Sequence, residues 1–305
     1  MARIVSFLPS ATEMTCALGL TDSLVGITHE CDYPPEVRGK AIVVRNVLPI
    51  ESMTESEIDK AVAERLHSGQ SLYQIDEELL AELAPDLILT QDLCQVCAPS
   101  GNEVSQVLKG LPLKPQILWL TPKSLEEIDG NLRELGAATG RLRQAEQLIA
   151  DGRARLEKLQ TATARLVARP RVFCMEWLEP VYASGHWVPE MVSIAGGEDR
   201  LGRLKGDSVR IPWEEVVEWA PSVLIVMPCG FNLAQVVEEA PQLFDKPGWS
   251  DLPAVRESRV YAVDANSYFA RPGPRVVEGT ELLAHLIHPD LFGWDGPDTA
   301  FQRIL

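Results

Sequence analysis

The sequence predicts an α/β protein of two doubly covered, mostly parallel-sheet lobes joined by a single long helix, and three observations predict it. Short apolar runs alternate with amphipathic helical stretches on both sides of the middle, the pattern of parallel sheets covered on each face. From Ser124 to Leu166 the chain is rich in Leu, Ala, Glu, Arg and Gln, holds no proline, and keeps apolar residues at helical spacing. Finally, AELAPDLILT (81–90) and VEWAPSVLIV (217–226) both run helix, Ala-Pro, buried strand. That weak internal repeat gives the two halves one plan. The expected boundaries are 1–122 for the N-terminal lobe, 123–168 for the connecting helices and 169–305 for the C-terminal lobe.

The elements follow in order. An apolar run at Ile4–Leu8 is the first strand. Pro9 follows, and Ser10-Ala11-Thr12-Glu13 reads as a capping box opening a helix to about Leu18. Leu24–Ile27 is the second strand, and amphipathic helices are expected near Ser56–His67 and Asp76–Leu83. Pro85 breaks that pattern before a buried strand at Asp86–Thr90. A helix begins near Gly101, and Gln116–Leu120 is a strand of the same type. Gly136 and Gly140 divide the helical stretch. Its second half, Arg141–Leu166, would span about 39 Å at 1.5 Å per residue. Its apolar positions are not sustained heptads, so it reads as a strut between lobes rather than a coiled-coil arm. After Arg169-Pro170 come a strand at Val172–Met175, helices at Val188–Ala195 and Pro212–Trp219, and a strand at Val223–Met227. A helix at Asn232–Ala240, a strand at Val260–Val263 and a proline-led helix at Pro274–Ile287 complete the second half.

Composition narrows the function. At 305 residues and 46% hydrophobic, the chain can build a core for each lobe. With 28 basic and 44 acidic residues its net charge is −16, which repels nucleic acid and anionic membranes. No run of 18 apolar residues is present, so membrane insertion is not expected. MARIVSF enters the first strand without the charged and apolar regions of a leader, which predicts a cytoplasmic protein, or a periplasmic one only if a leader was removed. Six cysteines in a chain of this size do not make a disulfide framework, and reduced thiols fit the same compartment.

Ligands of open parallel sheets bind beyond the carboxyl ends of the strands. The loops expected there carry Tyr33, Trp177, Tyr182, Trp187, Phe231, Tyr268 and Phe269 among glycines and prolines. Aromatic planes and close backbone approach suit a large, flat, partly apolar ligand. His29 and Cys31 after one strand, with Cys94 and Cys97 after another, supply four soft donors. These are open to zinc or iron, to the ligand's own metal, or to a reading as unligated thiols. His186, in GHWVPE, is either an axial ligand of a bound metal or a hydrogen-bonded structural histidine. Glu176 and Glu179 flank Trp177 and could act as acid and base, but carboxylates beside an aromatic in a loop are common. No Gly-x-Ser-x-Gly, Walker loop, Gly-x-Gly-x-x-Gly after a strand or His-Glu-x-x-His occurs, so a non-enzymatic binding role is expected. IAGGED (194–199) follows a helix and reads as its C-terminal cap, not a phosphate cradle.

FLPSATE, DYPPEV, LAPDLIL, a long helix, PVYASGHWVPEMVSIAGGED, RIPWEEV and SYFARPGPRVVEG, in that order, resemble the substrate-binding proteins of cobalamin and ferric-siderophore importers, and most of all their cobalamin-binding branch. The resemblance covers nearly the whole chain. It implies a class III substrate-binding fold, with two α/β lobes joined by one long helix, and a ligand held in the cleft between them without turnover. Carried over residue by residue, it implies corrinoid contacts from Pro9, Ser10 and Ala11, from Asp32 and Tyr33, and from Trp177. The same holds for Gly185 with His186 and Trp187 in its loop, for Trp213, and for Tyr268, Phe269 and Arg271. Glu103 matches the acidic residue that docks on an ABC permease. Three features depart from the importer pattern: no leader, about 20 extra residues between Leu48 and Asp76, and the His-x-Cys with Cys-x-x-Cys set. Together they point to a carrier or sensor that hands a corrinoid to a downstream corrinoid-handling protein, with no required cofactor. The competing expectations are a metal- or cluster-dependent enzyme on Cys31, Cys94 and Cys97, and a receptor for a ferric chelate or haem. The strand-end loops hold few arginines beyond Arg271, which fits a neutral or cationic ligand better.

Overall fold

The computed structural model describes residues 2–91 and 114–305. The chain forms two compact units, Met1–Pro122 with Glu126–Ile149 and Lys123–Leu125 with Ala150–Leu305.

The first unit is built on strands β1 (Ile4–Ser6), β2 (Leu24–Thr28), β3 (Ala41–Asn46), β4 (Tyr73–Ile75), β5 (Leu87–Thr90) and β6 (Gln116–Trp119). They lie in the order β4-β3-β2-β1-β5-β6, parallel except for β4 at the edge. Val5, Phe7, Val43, Val44, Leu80 and Ile88 form the core beneath them. The expected capping box at Ser10 and Glu13 does not form. The helix is Pro9–Ala17, its N-cap is Leu8 with no side-chain cap bond, and Ser10 and Glu13 are buried. Proline at the first helical position explains the shift, because its fixed φ suits the helix and its missing N–H is not needed there. A capping box forms instead at Thr54, where Glu57 accepts from the Thr54 N–H at 2.9 Å and Thr54 Oγ1 accepts from the Glu57 N–H at 3.4 Å. It opens the helix Glu55–His67. Strands β3 and β4 were not expected.

Two helices follow, Leu125–Ala138 and Leu142–Thr163. Gly140, at φ +68°, supplies the left-handed turn between them. The second helix is 22 residues long, shorter than expected, and the boundary between the units falls inside it.

The second unit uses β7 (Val172–Leu178), β8 (Val181–Ala183), β9 (Val209–Arg210), β10 (Val223–Val226), β11 (Val260–Val263) and β12 (Phe301–Arg303). Their order is β12-β11-β10-β7-β8-β9. Here the expectation of a mostly parallel sheet is corrected to a mixed one. β7–β10 and β10–β11 are parallel, whereas β7–β8, β8–β9 and β11–β12 are antiparallel. The cause is local: Glu179-Pro180 turns the chain directly back on itself, and a two-residue connection joins only antiparallel strands. Phe173, Met175, Val216, Leu224, Val226 and Val236 lie at zero exposure in one core cluster. Among the described residues no helix is long and apolar enough to cross a membrane.

Candidate functional site

In the second unit β7 outruns its central partner. The parallel register ends at Val226↔Met175, so Glu176, Trp177 and Leu178 project beyond β10; Trp177 and Leu178 pair with β8, and Glu176 falls in the register slip between them and Met175. The half-buried Trp177 ring meets Phe231 edge to face at 5.5 Å. Phe231 comes from the loop after β10, whose Cys229 N–H donates to the Glu176 carbonyl at 3.2 Å. The Trp177 Nε1–H is buried without a hydrogen-bond partner.

Behind this pair the segment 184–208 folds back on β7. The Gly185 N–H donates to Glu176 Oε1 at 3.3 Å, and the Ser208 hydroxyl donates to Glu176 Oε2. Burial pushes the Glu176 carboxyl up to about 7 against the opposing pull of those two bonds. Asp199 is raised to about 6, again chiefly by burial, while it accepts from the Leu201 and Gly202 N–H groups and the Ser184 hydroxyl. Only glycine fits at 185, because a Cβ would collide with the Ser208 nitrogen and lie 2.7 Å from the Gly206 oxygen. His186 follows at φ +52°, with Nε2 3.3 Å from Asp207 Oδ1. Asp207 Oδ1 in turn lies 3.6 Å from Lys123 Nζ. Burial holds the His186 imidazole below its ordinary pKa despite the Asp207 carboxylate.

The remaining aromatics expected at the site divide differently. Trp187 is buried and its Nε1–H donates to the Phe269 carbonyl at 2.9 Å. Tyr268 packs against Phe269 and Trp294, and Phe269 is 1% exposed. Arg271 is buried with them. Trp213 stacks on Trp249 at 6.2 Å inside the core, its Nε1–H donating to the Pro247 carbonyl at 2.7 Å. The structure therefore pairs Trp177 with Phe231, ties Gly185, beside His186, to Glu176, and buries Trp187, Tyr268, Phe269 and Trp213. Glu176 and Glu179 do not form an acid–base pair: Glu179 bonds Lys246 Nζ at 2.8 Å.

In the first unit Pro9 is half-buried, Ser10 and Ala11 are buried, and Asp32 and Tyr33 are exposed. His29 Nδ1 lies 3.2 Å from both Thr28 Oγ1 and the Val44 carbonyl, and Cys31 Sγ is 3.0 Å from Thr12 Oγ1. Cys94, Cys97 and Glu103 lie outside the described residues. Among the described residues no group of three or more His, Cys, Asp or Glu is arranged to hold a metal ion. Sequence reasoning missed Ser208, Asp207 and Asp199. The signal present was KGDSVRIP after IAGGED, a polar turn leading straight into a strand.

A mixed α/β fold in two units, with a bulged strand end presenting an aromatic pair and a tied-down polar loop, is the framework of a binding protein. The chain belongs to the family of periplasmic binding proteins, whose sequence model matches residues 4–267, and is a substrate-binding protein of the ABC-importer type. It is 28% identical over 297 residues to YvrC, an ABC transporter substrate-binding lipoprotein of Bacillus subtilis, covering 95% of this chain and 81% of that one. To a vitamin B12-binding protein of Vibrio cholerae it is 26% identical over 284 residues, covering 92% and 87%. Solved structures with the same fold include the periplasmic vitamin B12-binding protein BtuF of Vibrio cholerae, at TM-score 0.66 and 24% identity over 94% of this chain and 96% of that one. The haem-binding protein RhuT of Roseiflexus sp. RS-1 matches at TM-score 0.70 and 21% identity over 94% and 98%.

Proposed function

We propose that this chain binds a corrinoid, without turnover, as the substrate-binding component that delivers it to an ABC permease. The observation that carries the reading is the Trp177–Phe231 pair at the overhanging end of β7, two half-buried rings set edge to face at 5.5 Å. An apolar, aromatic surface with a few placed donors suits a flat macrocycle that carries amides. Asp32 and Tyr33 are further candidate contacts from the first unit, and Pro9 lines the start of its first helix. Relatives named as vitamin B12-binding proteins support the corrinoid over other macrocycles.

Haem is the second reading, favoured by the haem-binding structures that share the fold. The corrinoid is preferred because a relative named as a vitamin B12-binding protein is 26% identical to this chain, against 21% and 19% for the haem-binding structures. Equilibrium dialysis of the purified protein against cyanocobalamin, cobinamide and haemin decides between them. Retention of either corrinoid with a shifted visible spectrum is the expected result. Retention of haemin alone overturns the corrinoid reading, and retention of none overturns both.

A further inference from the structure

Glu176 sits where the register of β7 against β8 slips. Met175 pairs with Ala183 and Trp177 with Tyr182, so Glu176 has no partner across the ladder. Such a bulge bends the strand and re-aims its side chain. Three stretches of chain end on this one residue. Its carboxylate accepts from the Gly185 N–H and the Ser208 hydroxyl, and its carbonyl accepts from the Cys229 N–H. Each of those stretches carries a member of the rim: His186 beside Gly185, Asp207 beside Ser208, and Phe231 two residues after Cys229. Trp177 is the next residue of the strand itself.

We propose that Glu176 is the positioning residue of this rim, acting through the three loops it ties together rather than by touching the ligand. The functional half of the proposal rests on reading the rim as the ligand surface; the tie itself does not. The groups facing the carboxylate are the Gly185 amide and Ser208 hydroxyl from the loops, Cys174 from its own strand, and Asp199 from the turn after the helix Val188–Ile194. Removing the carboxylate leaves the Gly185 N–H buried without an acceptor, which a glycine loop answers by opening.

Parent, Glu176→Gln and Glu176→Ala are compared by amide hydrogen exchange without ligand, peptide by peptide, and by dialysis against cyanocobalamin. In Glu176→Ala, exchange rises about fivefold or more in peptides covering 184–187, 206–209 and 229–232, with first-unit sheet peptides unchanged. Cobalamin affinity falls about tenfold, the scale of one unsatisfied buried donor. Glu176→Gln keeps an acceptor for the Gly185 N–H, and its amide NH2 donates to the Ser208 hydroxyl oxygen in place of the parent's reverse bond, so it retains slow exchange. A rise no larger than elsewhere in the second unit overturns the proposal, as does a glutamine variant that behaves like the alanine one. So does lost affinity with exchange intact, because the carboxylate then contacts the ligand itself. If the parent retains no cobalamin, the corrinoid reading falls, and the exchange result still decides whether Glu176 ties the loops.

Discussion

Ala84 and Ala220 hold the same left-handed backbone conformation, at φ +40° and +47°, each as the C-cap of a seven-residue helix and each followed by proline. The likeness extends past the turn. The Arg3 carbonyl accepts from the N–H groups of Asp86 and Leu87, and the Arg171 carbonyl accepts from those of Ser222 and Val223. Each turn thereby docks the next strand, β5 on β1 and β10 on β7. An alanine Cβ is strained in this region and glycine is not. Ala84→Gly and Ala220→Gly should therefore each stabilise the protein by roughly 0.5–1 kcal/mol, net of the glycine's extra chain entropy. Denaturant midpoints check this, and a lower midpoint for both would contradict the shared-strain account.

This turn was legible in the sequence because Ala-Pro between an apolar helix end and a continuous Val/Ile/Leu run has few readings. So were the strands beside it, which sit buried on both faces as apolar runs do. β8, β9 and β12 were not legible. They are two or three residues long and lie toward sheet edges, with polar residues such as Arg210, Gln302 and Arg303 exposed. The aromatics expected at the strand-end loops were not sorted into buried and half-buried rings by the sequence. Trp177 and Trp213 look alike in sequence, and only the packing of Trp249 and the Pro247 carbonyl separates a core indole from a rim indole. Glu176 was visible, yet its role depends on a register slip that no spacing announces.

That sorting is testable. Trp177→Ala should leave the fold intact and weaken cobalamin binding by about 1–3 kcal/mol, the scale of a lost aromatic anchor. Phe269→Ala should do the reverse. Its ring is 1% exposed and its carbonyl holds Trp187, so a cavity costs about 3–5 kcal/mol of stability. Thermal unfolding and dialysis on both variants check the assignment. A stable Phe269→Ala that no longer binds would return Phe269 to the ligand surface.

The pH dependence of stability carries a sign. Glu176 and Asp199 have raised carboxyls, at about 7 and about 6, because burial disfavours their charged forms. The native state thus holds these protons more tightly than the unfolded chain. Their contribution is fully present below the ordinary carboxylate range and is lost as pH rises through 6 and then 7. His186 and His288 are lowered, chiefly by burial, and work in the opposite sense, losing stability as pH falls. The Glu176 part is isolated by difference. Between pH 6 and pH 8 the parent should lose more stability than Glu176→Gln, measured by urea unfolding at each pH. Equal losses would mean the carboxyl is ionised throughout.

The tightest geometric constraint on the rim lies at Gly185. A Cβ there would strike the Ser208 nitrogen and crowd the Gly206 oxygen and Asp207 carbon, all of them backbone atoms that no rotamer change can move. Alanine at 185 must push the 206–208 segment away and break the Gly185–Glu176 bond that the approach makes possible. The neighbouring His186–Gly206 backbone bond, at 2.6 Å, would go with it. Gly185→Ala should therefore cost about 1–3 kcal/mol of stability and lower cobalamin affinity by at least about tenfold, a larger loss than an equal destabilisation placed elsewhere would bring. Gly19→Ala supplies that control: it is strained at φ +72° but open on all sides. It should lose stability and keep its affinity, and a matching loss of affinity in both variants would mean that the approach of Gly185 to Ser208 does not shape the ligand surface.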